Sequence, residues 1–393
     1  MLGTMNILGQ TTVSDFLKQY WQKNPLLIRN AIRHIQPTLD ADTLAGLSLE
    51  DSVRSRVVRQ IPDEDRWNCT YGPFTEDDFS TLPATHWTLL VQDVEKHLPE
   101  HAAVIEHFFF LPRWRIDDLM VSYAVDGGSV GPHIDQYDVF LLQVSGQRRW
   151  QLQTKNITES DLQVNSELSI LKSFQADEDW VLNPGDLLYL PPGIPHFGVA
   201  VGECMTYSIG FRAPRTADIL QAFSEQLANT DDKPLRHIDS TSNTTPHRGE
   251  LTNSDLSRMQ NILQRSLDNE DIFIQAMGSL LTEATETPSV CSNEETTAGT
   301  FSTNLRTCSK LTLHPATRCL YVRRDSGILW FVNAVRHDIG PGLATIIMQL
   351  TDDYELQNDA IMHILEDQQL IAILFGLYQE GYLQLGYQDS SLG

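Results

Sequence analysis

Between residues 114 and 212, short runs of β-branched, aromatic and aliphatic residues alternate with Gly, Pro and Asp turns. This pattern constrains the fold more than any other feature of the chain, because strands so short and so regularly interrupted close into a sandwich or a barrel. Residues 119–125 and 137–144 read as strands. Residues 139–152 read as a hairpin that turns at Ser145-Gly146-Gln147. An apolar strand, 187–190, follows the turn Asn183-Pro184-Gly185-Asp186, and residues 205–211 close the set. At 393 residues the chain is too long for one ordinary core, so two or three domains are expected.

Within that region stands Gly131-Pro132-His133-Ile134-Asp135. Read as a strand, it sends the imidazole and the carboxylate, two positions apart, to the same face. The best third partner is His196, at the end of the stiff approach Pro191-Pro192-Gly193-Ile194-Pro195. Two histidines and one carboxylate form the facial triad of non-haem Fe(II) oxygenases. Such a site leaves positions for a 2-oxo acid and O2. On the return strand of the expected hairpin, Arg148, Trp150 and Leu152 share the apolar, inward face. A buried arginine needs an anion, either a protein carboxylate or a ligand. The distal carboxylate of 2-oxoglutarate suits its planar fork. Ser122 is a candidate hydroxyl donor beside it, and Thr206 or Tyr207 is a candidate contact on the closing strand. Asp117, Asp118 and Asp138 are rival carboxylates, with Asp138 out of phase with Asp135. His86, His97 and His363 read as structural or surface residues.

Lys and Arg number 28 against 52 Asp and Glu, a net charge of −24. Such a surface repels nucleic acid and attracts a basic protein, although solubility alone also accounts for it. The five cysteines form no CxxC pair and no framework, which fits a reducing compartment. No apolar run is long enough to span a bilayer, and the first ten residues lack the layout of a signal peptide. A soluble, cytoplasmic protein is expected.

Before the β-rich region, a helix capped by Ser14 with Phe16, Leu17, Tyr20 and Trp21 precedes the strand Leu26-Leu27-Ile28-Arg29. Residues 40–49 read as helix, 53–58 as strand, 62–67 as a polar loop, and 87–97 have helical spacing. After it, a helix capped by Thr216 runs over 216–229, and a polar linker over 229–250. Asn253 or Ser254 caps a further helix, whose Leu256, Met259 and Leu263 form an apolar seam expected to be a homodimer contact. Residues 272–281 are helical, and 282–307 read as linker or disordered. The last segment, 311–385, combines strands at 318–322 and 328–332 with helices at 343–350, 360–364 and 370–378. It reads as winged-helix-like, without the basic recognition helix of a DNA reader.

Several motifs resemble the bacterial JmjC-type ribosomal oxygenases. They are Tyr20-Trp21-Gln22-Lys23-Asn24-Pro25-Leu26-Leu27-Ile28-Arg29, Trp114-Arg115-Ile116-Asp117-Asp118-Leu119-Met120, Gly131 to Phe140, Pro184-Gly185-Asp186 with Leu190-Pro191-Pro192-Gly193, and Gly210-Phe211-Arg212-Ala213-Pro214. The similarity is dense over about residues 14–225 and thin afterwards. It implies an α+β fold: a double-stranded β-helix (cupin/JmjC) barrel with N-terminal helical and strand additions, a helical dimerisation region and a C-terminal winged-helix-like domain. The implied boundaries are 1–213, with the barrel core at about 114–213, then 214–303 and 304–393. It further implies Fe(II) on His133, Asp135 and His196, and 2-oxoglutarate and O2 as co-substrates, with Ser122 and Arg148 contacting the former. The family often has Asn where this chain has Thr206. The implied reaction is hydroxylation of an arginine β-carbon in large-subunit ribosomal protein sixteen, a basic partner for an acidic surface, with Gln136-Tyr137 on the substrate-facing rim. Two other readings are a cupin metalloenzyme with Zn or Mn acting on a small molecule, and a cupin kept only for docking a partner.

Overall fold

The computed structural model of the chain describes residues 7–61, 66–155, 170–230, 235–236, 238, 249–285, 288 and 296–387. Most of the expected 229–250 linker and part of the 62–67 loop lie outside them. Nine strands make one antiparallel sheet: β1 (Leu26–Ile28), β2 (Ser55–Ile61), β3 (Arg66–Tyr71), β4 (Trp87–Val91), β5 (Ile116–Ala124), β6 (Asp138–Leu152), β7 (Glu178–Leu182), β8 (Leu187–Leu190) and β9 (His196–Phe211). Their order is β1-β8-β6-β9-β5-β4-β2-β3, with β7 also on β6. The sheet folds around a cavity.

The expected hairpin at 139–152 is a single strand. β6 runs through 145–147 and pairs with β9 on both sides of that point, with register shifts at Gln143/Ser145 and Ser145/Gln147. Ser-Gly reads the same in a bulge as in a turn. Gly146 has φ +61°, and a Cβ there would meet the Glu203 carbonyl at 2.0 Å. The bulge also changes the phase of the strand. Val139 and Leu141 line the cavity before it, Arg148 and Trp150 after it. The inward face assigned to Arg148 therefore holds, although the hairpin does not. Similarly, β9 begins at His196 rather than at residue 205.

Residues 87–97 are not one helix. Trp87–Val91 is β4, wedged between β2 and β5, and only Val94–His97 is helical. Thr88, Leu89, Leu90 and Val91 are all buried, so the run has no exposed face whose period could identify it.

The N-terminal helix, Val13–Gln19, is capped by Thr12 rather than Ser14, with Thr12 Oγ1 accepting from the Asp15 N–H. Its Phe16 packs with Phe140 and Tyr189 on the outer face of the sheet. Asp138 is buried there, accepting from the Tyr189 hydroxyl at 2.6 Å and from Arg115 at 3.1 Å, on the face of β6 opposite the cavity-lining Val139; no strand phase links it to Asp135, which precedes β6.

Beyond the sheet come the helices Thr216–Ala228, Asn253–Leu267 and Glu270–Thr282. Arg215, not Thr216, holds the cap position of the first, and Thr252 caps the second through a capping box with Asp255. Leu256, Met259 and Leu263 are exposed. Ala298–Thr307, expected to be linker, is a helix that buries Phe301 and Leu305. Those two side chains anchor a second core, shared with β10 (Lys310–Leu313), β11 (Cys319–Arg324), β12 (Gly327–Val332), β13 (Val335–Ile339), β14 (Glu355–Gln357), β15 (Leu383–Gly386) and the helices Pro341–Asp353, Asn358–Ile364 and Gln368–Gln379. Among the described residues, no helix is long and apolar enough to cross a membrane.

Candidate metal and co-substrate site

His133 and Asp135 do not lie in a regular strand. His133 makes one isolated antiparallel bridge with His196 and the chain around it is loop. The His133 N–H donates to the His196 carbonyl at 3.0 Å, and the His196 N–H to the His133 carbonyl at 2.9 Å. Neighbouring bonds brace the loop. Ser129 Oγ donates to the Gly198 carbonyl at 2.6 Å and accepts from the Gly131 N–H at 3.1 Å, while the Gly193 N–H donates to the Asp135 carbonyl at 2.8 Å. Gly131 and Gly193, at φ +82° and +83°, make the turns on either side.

The bridge sets the two imidazole rings 4.2 Å apart. Each Nδ1 lies 2.9 Å from the carbonyl two residues back, of Gly131 for His133 and of Ile194 for His196. A carbonyl only accepts, so Nδ1 carries the proton and Nε2 presents its lone pair. Both Nε2 atoms face Asp135, at 4.0 Å for His133 and 3.6 Å for His196. Burial, then the neighbouring His133, pulls the His196 pKa down to about 4, which keeps that ring neutral. Donor atoms of the three residues all lie within 4.8 Å of one another.

A cavity of about 380 Å³ opens beside them. At its inner end Arg148 is buried between Ser122 Oγ and the Gly198 carbonyl, each 3.4 Å from a guanidinium nitrogen, with its Cζ 5.2 Å from the Trp150 ring centre. Among the described residues, its Nε has no hydrogen-bond partner and no carboxylate lies within ion-pair distance. Burial lowers its pKa. A buried, unpaired cation is expensive, and an anionic ligand offsets the cost. Thr206 closes this end, donating from Oγ1 to Gln143 Oε1 at 3.0 Å opposite Ser122 in the β5–β9 ladder. The residues present thus fit a redox metal with two nitrogen donors and one carboxylate, and a dicarboxylate reaching from it to Arg148.

The structure brings together His133, Asp135, His196, Ser122, Arg148 and Thr206 around one cavity. Tyr207 points elsewhere, as its odd position on β9 requires. Sequence reasoning missed the outer half, where Arg56, Tyr71, Gln92, Met120 and Ser208 line the wall. Asp118, treated as a rival ligand, belongs there too. It follows Ser122 and Met120 on the same face of β5, an alternation that was available to find it. From Ser122 to Asp118 is about 13 Å along the strand, which separates a deep cationic end from a shallow acidic one. Burial, then the Asp93 and Asp117 carboxylates, pushes Asp118 up to about 7, against Lys96 and Arg318.

Residues 103–219 match the family described as JmjC domain. The chain is 34% identical over 270 residues to ribosomal protein uL16 3-hydroxylase of Escherichia coli (strain K12), covering 69% of this chain and 71% of that protein. It is 36% identical over 271 residues to the probable ribosomal oxygenase of Haemophilus influenzae, covering 67% and 66%. The structure of YcfD, a ribosomal oxygenase from E. coli, in complex with cobalt and 2-oxoglutarate, superimposes with a TM-score of 0.84 at 29% identity, over 96% of this chain and 98% of that one. The cupin/JmjC fold expected from the motifs is borne out.

Proposed function

Since the chain belongs to the JmjC-type ribosomal oxygenases, we propose that it is the Fe(II)- and 2-oxoglutarate-dependent hydroxylase that modifies an arginine side chain, at the β-carbon, of large-subunit ribosomal protein uL16. One observation carries the reading: a lone buried cation, Arg148, lies in the same cavity as the convergent His133, Asp135 and His196. His133, Asp135 and His196 would hold the metal. When Fe(II) and its co-substrates are bound, the chemistry supplied is insertion of one oxygen atom of O2 into a C–H bond, the other passing into succinate as 2-oxoglutarate loses CO2.

The chain's own residues select and orient. Arg148 and Ser122 would fix the far carboxylate of 2-oxoglutarate, with Thr206 lining the same end of the cavity. Asp118 meets the substrate guanidinium at the mouth, where it has no ion pair of its own among the described residues. Leu141, Val139 and Met120 keep water from the stretch between. The charge of −24 favours approach of a basic ribosomal protein without nucleic acid as a direct ligand, in the cytoplasm. We read 1–213 as the catalytic domain, 214–303 as a helical region that dimerises through Leu256, Met259 and Leu263, and 304–393 as winged-helix-like.

The test is incubation of the full chain with Fe(II), 2-oxoglutarate and uL16. The expected result is a mass gain of one oxygen atom on an arginine-containing peptide, with stoichiometric succinate. Absence of both overturns the reading.

A further inference from the structure

β5 carries an extra residue as it passes the mouth of the cavity. Ile116 pairs with Phe211 and Leu119 with Ile209, so Asp117 and Asp118 together face Gly210. A bulge re-aims side chains and leaves backbone groups outside the ladder. Here side chains from outside the sheet take them. The Leu119 N–H donates to Glu95 Oε2 at 3.0 Å. Arg318 Nη1 donates to the Ile116 carbonyl at 2.7 Å, and Nη2 to the Asp117 carbonyl at 2.5 Å and to Asp117 Oδ1 at 3.3 Å. The Asp117 carboxylate also accepts from Arg212 Nε at 3.0 Å. Gly210 leaves the room, since a Cβ there would lie 3.0 Å from Asp118 Oδ1.

Arg318 comes from the C-terminal unit, directly before β11, and is 9% exposed. Its own backbone is clamped. Its N–H donates to Asn333 Oδ1 at 3.0 Å and its carbonyl accepts from the Asn333 N–H at 2.9 Å. A rigid fork on two successive carbonyls fixes the orientation of both peptide planes. The bulge ends the ladder at Asp118, so its place on the cavity face of Met120 and Ser122 is kept by the clamp on Ile116 and Asp117 rather than by strand pairing.

We propose that Arg318 is a positioning residue for substrate recognition, holding the β5 bulge that aims Asp118 at the substrate's cationic side chain. This rests on the assignment of Asp118 to the substrate guanidinium. It makes the C-terminal unit part of the recognition apparatus, although none of its described residues lines the cavity.

The experiment uses the full chain with Fe(II), 2-oxoglutarate and an arginine-containing uL16 peptide. Arg318→Met is expected to raise the peptide KM about tenfold and Arg318→Lys about threefold, because an ammonium reaches one carbonyl at a time, with kcat within about twofold. In an Asp118→Asn background, Arg318→Met adds no further rise. Equal factors with and without Asp118 overturn the proposal. So does joint loss of 2-oxoglutarate binding and of melting temperature in both variants, which assigns Arg318 to stability. If Asp118→Asn leaves the peptide KM unchanged, or the wild-type chain leaves the peptide unmodified, the underlying assignment fails and the Arg318 proposal falls with it.

Discussion

His133 and His196 are the two members of a single antiparallel bridge, and their rings stand 4.2 Å apart with both Nδ1 atoms engaged by backbone carbonyls. Those carbonyls fix both ring orientations and leave each Nε2 turned toward Asp135. His133→Ala and His196→Ala are each expected to weaken Co(II) binding by at least about 100-fold, since loss even of an outer-shell partner costs 10 to 100-fold. Calorimetric titration of the purified chain measures this. Affinity equal to the wild type in either variant rules that residue out as a ligand.

Arg148→Met separates function from stability. Loss of a charge-assisted, two-pronged contact is expected to weaken 2-oxoglutarate binding by on the order of 100-fold. In the absence of co-substrate, the variant is expected to melt at the same temperature or higher, because an uncompensated buried cation has been removed. Thermal melts with and without 2-oxoglutarate test both. A lower melting temperature with unchanged binding makes Arg148 a structural residue.

Asp118 faces Tyr137 and Gly210 in the cavity and has Asp93, Lys96, Asp117 and Arg318 around it. With its carboxyl pushed up to about 7, it is mostly protonated below that pH and charged above it. The KM for an arginine peptide is therefore expected to fall as pH rises from about 6 to about 8, and Asp118→Asn to flatten that limb. A profile identical in wild type and variant sinks the assignment.

Glu95 supplies a stability prediction of the opposite sign. Burial first, with Asp118 and Asp93 acting against Lys96, pushes its carboxyl from an ordinary 4.5 up to about 8. The folded chain retains a proton there that the unfolded chain releases, so stability falls as pH rises across that window. Glu95→Gln keeps an acceptor for the Leu119 N–H and removes the titration. It is expected to narrow the loss of stability between about pH 5 and about pH 8, by on the order of a few kcal/mol. Parallel melting curves for the two proteins show that residue 95 is not the source.

What could be read from the chain beforehand was what lies close in sequence or follows a strict period. His133 with Asp135, the proline approach to His196, and the shared face of Arg148, Trp150 and Leu152 all qualify. The misreadings have a common cause. Ser145-Gly146-Gln147 is a bulge only because β9 runs alongside it, and Trp87–Val91 is a strand only because β2 and β5 enclose it. The His133–His196 bridge and the grip of Arg318 on β5, 202 residues apart in the chain for Ile116, are tertiary facts with no local signature.

β9 carries His196 at its first residue, Gly198 beside Arg148, then Thr206, Ser208 and Gly210 down one wall of the cavity. The interval between the Arg148 end and the mouth is thus counted in whole pleats of about 7 Å. A reach graduated in such coarse steps cannot be trimmed by the length of one methylene. Any descendant of this protein that came to prefer a shorter side chain would have to refill the wall residue by residue, because sliding the strand would drag His196 along with it.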